Sequence, residues 1–218
     1  MIVKICGITR AEDAEAAATY GAAAIGFVFW PSSPRAIDPA HARSIAAHLP
    51  PSVTLVGVFV NQPADYVNAV ADQVGLGAVQ LHGDETPDYA AAVERPVLKA
   101  IPLGEDAEAL VERWTPATVL LDAPDPVRRG GTGRPIDWAR AAALAARRRI
   151  LLAGGLTPEN VAEAVARVRP FGIDVSSGVE SAPGAKDPAK LRALFAALGV
   201  HDGGGRFEPA AGRGRRWP

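Results

Sequence analysis

The chain has one cysteine, Cys6, and only four histidines. A single thiol excludes an internal disulfide framework and any cysteine-rich zinc site. The histidines (His41, His48, His82 and His201) are scattered and show no HExxH spacing, so no metal centre is expected. Neither sign of charge dominates: the formal net charge of −1 gives no electrostatic reason to expect a nucleic-acid or membrane partner. No apolar run approaches the roughly 20 residues that span a bilayer. The opening Met1-Ile2-Val3-Lys4 lacks the basic region and continuous apolar stretch of a secretory signal. A reducing cytoplasm is the expected setting, with a small molecule as the expected partner.

What remains is a globular composition, 48% apolar over 218 residues, enough for one barrel-sized domain with a substantial core. Proline punctuates it. Pro39, Pro63, Pro87, Pro135, Pro158 and Pro188 each follow a polar residue or short polar stretch and precede a segment rich in helix formers. Proline suits a first helical position because its missing N–H had no intrahelical partner there. Asp38, Thr157 and Asp187 are the expected N-caps. Pro39, Pro63 and Pro87 are spaced by 24 residues, room for one strand, one loop and one helix.

Between these helix starts lie eight short apolar segments: Ile2 to Ile5, Ala24 to Phe29, Val53 to Val60, Ala78 to Leu81, Val97 to Ile101, Thr118 to Leu121, Ile150 to Ala153 and Phe171 to Val175. Continuous rather than alternating apolar runs are expected where both faces of a parallel sheet are buried. The intervening segments carry helical stripes, such as Val161, Ala164, Val165 and Val168, or Leu191, Leu194, Phe195 and Leu198. Eight strands alternating with helices predict an α/β protein, a closed (β/α)8 barrel of the TIM type in a single domain spanning 1–200. An open doubly wound sheet would place a glycine fingerprint after its first strand, where this chain has Cys6-Gly7-Ile8-Thr9. Residues 201–218 change character, with four arginines against Asp202 and Glu208, and read as a flexible Gly/Arg-rich extension. A basic tail can touch nucleic acid; a solvated terminus is the simpler reading.

In such barrels the active site is built on the loops that follow the strands. Polar and glycine-rich signals follow every strand but the fifth here. Cys6 ends the first strand and Asp122 the sixth, a thiol and a carboxylate placed for base and acid work without a cofactor; an inert buried cysteine and a helix cap or loop anchor are the plainer alternatives. Gly154-Gly155 follows the seventh strand and Ser177-Gly178 the eighth, where phosphate sites of this fold lie and backbone N–H groups can face an anion. Such glycines can also serve only to make tight turns. Gly130-Gly131-Thr132-Gly133 lacks the following Lys-Ser/Thr of a mononucleotide loop. Arg35, in the Pro-rich loop after the second strand, could grip a carboxylate with two prongs. Lys4 and Lys99 lie within strands; a buried lysine could form a Schiff base, though pairing with a carboxylate is the plainer expectation.

With these residues in view, the chain resembles the phosphoribosylanthranilate isomerase family. The resemblance rests on Lys4-Ile5-Cys6-Gly7-Ile8-Thr9, on Gly26-Phe27-Val28-Phe29 with Ser32-Ser33-Pro34-Arg35, and on Val56 to Asn61. It continues through Val79-Gln80-Leu81-His82-Gly83-Asp84-Glu85, Gly130 to Gly133, Leu152 to Leu156 with Pro158 to Val161, and Asp174 to Glu180, about residues 2–198 in all. The family's usual Phe before Asp-Trp is Ile136 here, a departure expected to lie away from the chemistry. The resemblance implies an Amadori rearrangement of N-(5-phosphoribosyl)anthranilate, needing no metal and no organic cofactor, by a monomer or homodimer. It implies that Cys6 is the general base and Asp122 the general acid, that Arg35 holds the anthranilate carboxylate, and that Asp174 lies near the substrate hydroxyls. Gly154, Gly155, Ser177 and Gly178 would hold the phosphate. A free cysteine ionises near pH ~8.5 and a free aspartate near ~3.9, so this chemistry needs that gap narrowed. Two other readings are a phosphosugar barrel like indole-glycerol-phosphate synthase or a Lys99 Schiff-base aldolase, and a non-catalytic phosphosugar-binding protein.

Overall fold

The computed structural model describes residues 1–115, 117–124 and 136–199. Gly130-Gly131-Thr132-Gly133, Pro135 and the 201–218 extension lie outside the described residues. Eight parallel strands close into a barrel in sequence order, each hydrogen-bonded to the next and β8 to β1. They are β1 (Ile2–Cys6), β2 (Ala24–Val28), β3 (Thr54–Phe59), β4 (Ala78–Leu81), β5 (Val97–Pro102), β6 (Thr118–Asp122), β7 (Ile150–Leu152) and β8 (Gly172–Val175). All eight fall on the apolar runs of the sequence, within a residue or two at each end. No helix among the described residues is long and apolar enough to cross a membrane.

Helices follow the strands: α1 (Ala11–Thr19), α2 (Pro39–Ala46), α3 (Ala64–Val74), α4 (Pro87–Ala90), α5 (Ala107–Arg113), α6 (Trp138–Ala145), α7 (Val161–Val168) and α8 (Pro188–Ala197). Asp38 and Asp187 cap as expected, the first accepting from His41 N–H at 2.9 Å, the second from Ala189 and Lys190 at 2.8 and 3.1 Å. Pro63 takes the cap position itself, one residue before α3. Thr157 does not cap. Its N–H donates to Asn160 Oδ1 at 2.8 Å, and α7 begins only at Val161, because Asn160 is used to pin the preceding loop.

Strand alternation sorts the side chains into two cores. Outward-facing Val3, Ile5, Ile25, Phe27, Val79, Leu81, Val119, Leu121, Ile150, Leu152, Ile173 and Val175 join the helices' buried faces in one large apolar cluster. Inward-facing residues form small separate groups: Ala24, Val56 and Ala78 low in the barrel, and Cys6, Val28 and Val58 near its mouth. Lys4, Gln80 and Asp174, all nearly inaccessible, also point inward, so the middle of the lumen is polar. A small antiparallel hairpin, β9 (Glu180–Ala182) and β10 (Ala185–Lys186), follows β8 and was not foreseen. Its strands of three and two residues carry no periodicity to detect.

Ring closure between β1 and β8 is tight. A Cβ on Gly172 would stand 2.8 Å from the Ile2 carbonyl oxygen and 2.9 Å from Ile2 Cβ. Gly172→Ala is therefore expected to destabilise the protein by about 2 kcal/mol, as overpacking does. That corresponds to a melting temperature lowered by roughly 4–8 °C. An unchanged thermal melt would show that the closing strands yield at no cost.

Candidate active site

The inward phase of each strand decides what reaches the mouth of the barrel. Cys6 closes β1 and Asp122 closes β6, and both line one hollow of about 720 Å³, open solvent included. Arg35, Gly154, Gly155, Asp174, Ser177 and Gly178 line the same hollow. The eight residues to which the resemblance gives roles thus meet at one place. Lys99 does not join them: it is out of phase with inward-facing Leu98 and Ala100. Its ammonium donates to Gly83 O at 2.6 Å and Glu85 Oε2 at 2.8 Å, and stands 5.3 Å from the Trp114 ring centroid outside the lumen. That placement takes the support from a Lys99 Schiff base.

Several lining residues carried no signal of their own in the sequence. Trp30 supplies an aromatic wall, and Val28 and Val58 apolar ones. Gln80 Nε2 lies 3.0 Å from His82 Nδ1, and His82 Nε2 lies 3.5 Å from Asp122 Oδ2. If the Gln80 amide donates to Nδ1, the His82 proton sits on Nε2 and faces the Asp122 carboxyl. Asp122 Oδ1 in turn accepts from Ala123 N–H at 2.8 Å, which leaves Oδ2 toward the hollow's histidine. The phase of two along β4 places Gln80 and His82 on the same face and was the available clue.

Arg35 is held by a fork. Its Nε and Nη2 donate to Glu180 Oε1 and Oε2 at 2.8 and 2.7 Å. Its stem crosses Gly7, where a Cβ would lie 2.5 Å from Arg35 Cδ, and Gly7 has φ +73°. Lys186, fully buried, donates to Glu180 Oε1 at 2.8 Å and to the Cys6 carbonyl at 2.6 Å. Burial raises the Glu180 carboxyl, but the Arg35 and Lys186 cations outweigh it and hold the group below its ordinary value. The unforeseen hairpin therefore ties the arginine loop, the end of β1 and the segment after β8 together.

The glycine loops approach each other closely. Gly154 and Gly155 both adopt left-handed backbone, φ +77° and +68°, so their N–H groups turn without a side chain in the way. A Cβ on Gly178 would stand 1.9 Å from the Leu156 carbonyl oxygen, so only glycine lets the seventh and eighth loops touch. Asn160 Nδ2 fastens the Gly155 carbonyl at 2.8 Å. Ile136, expected to be remote from the chemistry, is instead packed on this cradle. A Cβ on Gly154 would meet its Cγ2 at 2.8 Å. The smaller, branched side chain bears on the candidate anion loop itself.

Cys6 and Lys4 share the lumen face of β1. Lys4 Nζ donates to Asp174 Oδ1 at 2.8 Å, both groups buried. Burial pushes the Cys6 thiol up; Lys4 and Lys186 pull it down and Asp174 adds to the rise, leaving it above its ordinary value. A general base at this position must therefore be ionised with help that arrives with, or is released by, a ligand.

Comparisons with known proteins agree with this fold. The family model for N-(5'-phosphoribosyl)anthranilate (PRA) isomerase matches residues 3–197. An N-(5'-phosphoribosyl)anthranilate isomerase of Citrifermentans bemidjiense is 52% identical over 195 residues, 89% of this chain and 95% of that one. The crystal structure of phosphoribosyl anthranilate isomerase from Thermus thermophilus superposes with a TM-score of 0.84 at 47% identity, covering 91% of this chain and 98% of its own. A phosphoribosyl anthranilate isomerase in complex with reduced 1-(o-carboxyphenylamino)-1-deoxyribulose 5-phosphate gives 0.83 at 41% identity, covering 92% and 100%. A closed eight-stranded barrel with this mouth, matched over nearly its whole described length, belongs to the N-(5'-phosphoribosyl)anthranilate isomerase family.

Proposed function

We propose that this protein converts N-(5-phosphoribosyl)anthranilate to 1-(2-carboxyphenylamino)-1-deoxyribulose 5-phosphate, an aldose–ketose isomerisation of tryptophan biosynthesis. The observation that carries it is the convergence of Cys6, Asp122, Arg35, Asp174 and the two glycine loops on one mouth, in a chain of this family. Asp122 as general acid delivers a proton to the ring oxygen as the C1′–oxygen bond breaks, and the anilinic nitrogen's lone pair forms an iminium. Cys6 as thiolate removes the proton from C2′, and that electron pair collapses the iminium to an enolamine. Tautomerisation of the enolamine yields the ketose. The iminium's positive charge favours the thiolate just when it is needed, which supports the assignment despite the raised thiol of the free protein. Neither step calls for a metal or organic cofactor.

The phosphate is assigned to the backbone N–H groups around Gly154, Gly155 and Gly178 with the Ser177 hydroxyl. Arg35 takes the anthranilate carboxylate with N–H groups beyond the two given to Glu180, and Trp30 lies beside the space for the aromatic ring. Asp174 faces the ribose-derived hydroxyls. A cytoplasmic location belongs to the same reading, since a general base at Cys6 must stay reduced.

Loss of substrate fluorescence on adding purified protein is the direct assay. Cys6→Ser and Asp122→Asn are each expected to lower kcat by about two to four orders of magnitude, the usual worth of a general base or acid. Both are expected to bind product nearly as well as the unaltered protein; near-normal rates in both would end the role assignment. Gly155→Glu sets a carboxylate against the phosphate and a side chain on left-handed backbone. KM is expected to rise at least about tenfold, since opposed like charges cost several kcal/mol. A KM that does not move would take the phosphate elsewhere. Glu180→Gln weakens the fork that aims Arg35 by about one charge-assisted hydrogen bond, ~1.5 kcal/mol. Substrate KM is expected to rise about tenfold, with inorganic-phosphate inhibition unchanged; equal loss of both would make Glu180 a purely structural residue.

A further inference from the structure

Among the described residues the mechanism leaves one fully buried cation without a task. Lys4 is inaccessible to solvent, two residues before Cys6 on the same face of β1. A lysine stem in a packed lumen needs space, and the neighbouring strand provides it. Gly26 on β2 is in register with Cys6 and has no side chain. A Cβ at that position would stand 2.8 Å from Cys6 Sγ and 3.1 Å from Lys4 Nζ. The sulfur and the ammonium thus converge on one point, the volume that any other residue at 26 would fill. On the far side, β8 presents Asp174 in register with Lys4, and the carboxylate accepts from the ammonium at 2.8 Å.

We infer that Lys4 is the positioning residue whose charge stabilises the Cys6 thiolate, and that Asp174 competes with the sulfur for that charge. The inference rests on the proposed role of Cys6 as general base. The other charged groups around the sulfur have different employment. Lys186 of β10 donates to Glu180, to the Cys6 carbonyl and, at 3.3 Å, to the Ser176 carbonyl. Arg35 is forked onto Glu180. Across the mouth, His82 and Asp122 face each other. Lys4 alone among these cations sits on the sulfur's own face of β1, with its nitrogen at the sulfur's side rather than on its backbone. In a lumen of low dielectric, an opposite charge at this range favours the ionised form strongly, and a like charge opposes it. The free protein, with Lys4 committed to Asp174, keeps the proton on sulfur, in keeping with the raised thiol. A substrate whose hydroxyls engage Asp174 would loosen its hold on Lys4, leaving more of the ammonium's charge to the sulfur it already neighbours. Base strength is then coupled to occupancy of the sugar site.

The two partners of Lys4 predict opposite effects, and a packing disturbance would not. Cys6 is the only cysteine, so alkylation of the full chain by iodoacetamide and its ultraviolet thiolate absorbance report on that sulfur alone. Lys4→Met is expected to move thiol titration at least one pH unit upward. Alkylation near neutral pH then slows about tenfold, the change in thiolate fraction for one unit, and the acid limb of kcat/KM moves to higher pH. Asp174→Asn is expected to move the titration downward and speed alkylation, even while weaker sugar binding lowers kcat/KM. Shifts of the same sign in both variants, or none in either, overturn the proposal. If Lys4→Met fails to fold, Asp174→Asn decides by itself: faster alkylation supports the competition, and equal or slower alkylation refutes it. An inactive Cys6→Ser protein combined with unmoved titration in the Lys4 and Asp174 variants would leave the general base standing and remove Lys4 alone.

Discussion

Closure of the ring between β1 and β8 is the constraint on which the site depends. It brings the beginning and the end of the barrel into register, so that Lys4 meets Asp174 across 170 positions of sequence. Cys6 and the segment after β8 become neighbours by the same act, and the Lys186 ammonium bridges them through the Cys6 and Ser176 carbonyls. Without closure, the thiol would sit on an edge strand, and the glycine loops after β7 and β8 would lie on the opposite edge of an open sheet. The apolar outer faces supply the drive for closure, because a strand with two apolar sides must be covered on both.

Against that background the polar lumen is costly. Buried ion pairs stabilise a fold weakly, because desolvation offsets most of their attraction, yet removing one partner leaves an uncompensated charge. This protein holds Lys4 with Asp174 and Lys186 with Glu180, each member nearly inaccessible, Lys4 two residues before Cys6 and Lys186 in contact with the Cys6 carbonyl. Their value is geometric and electrostatic. One pair sets the field at the sulfur, and the other aims the arginine and holds the backbone of Cys6.

Architecture and site differ in how far the chain announces them. Strand runs, the proline spacing and the stripes of α7 and α8 are local patterns, and local patterns were enough to predict eight strands and their closure. Cys6, Asp122, Gly154, Gly155 and Ser177-Gly178 were legible as strand-end signals, because this fold puts its chemistry there. Gln80 was hidden inside an apolar run, and His82 could not be told from an ordinary loop residue. Glu180 and Lys186 sit in a hairpin too short to show a period, and Ile136 reaches Gly154 across a gap of 18 positions.

The order of residues is enough to specify the alternation of strand and helix, the strand ends at which reactive groups lie, and the single thiol available as a base. Hydrophobic periodicity and turn chemistry act over a few neighbouring residues, and both can be read from the order of side chains alone. Which charges face which is settled by the folded arrangement. Strand phase sends Lys4 into the lumen and Lys99 out of it, and barrel closure sets Asp174 beside one and leaves Glu85 to the other. Coulomb interactions depend on distance through space, and a chain of letters contains only distance along itself.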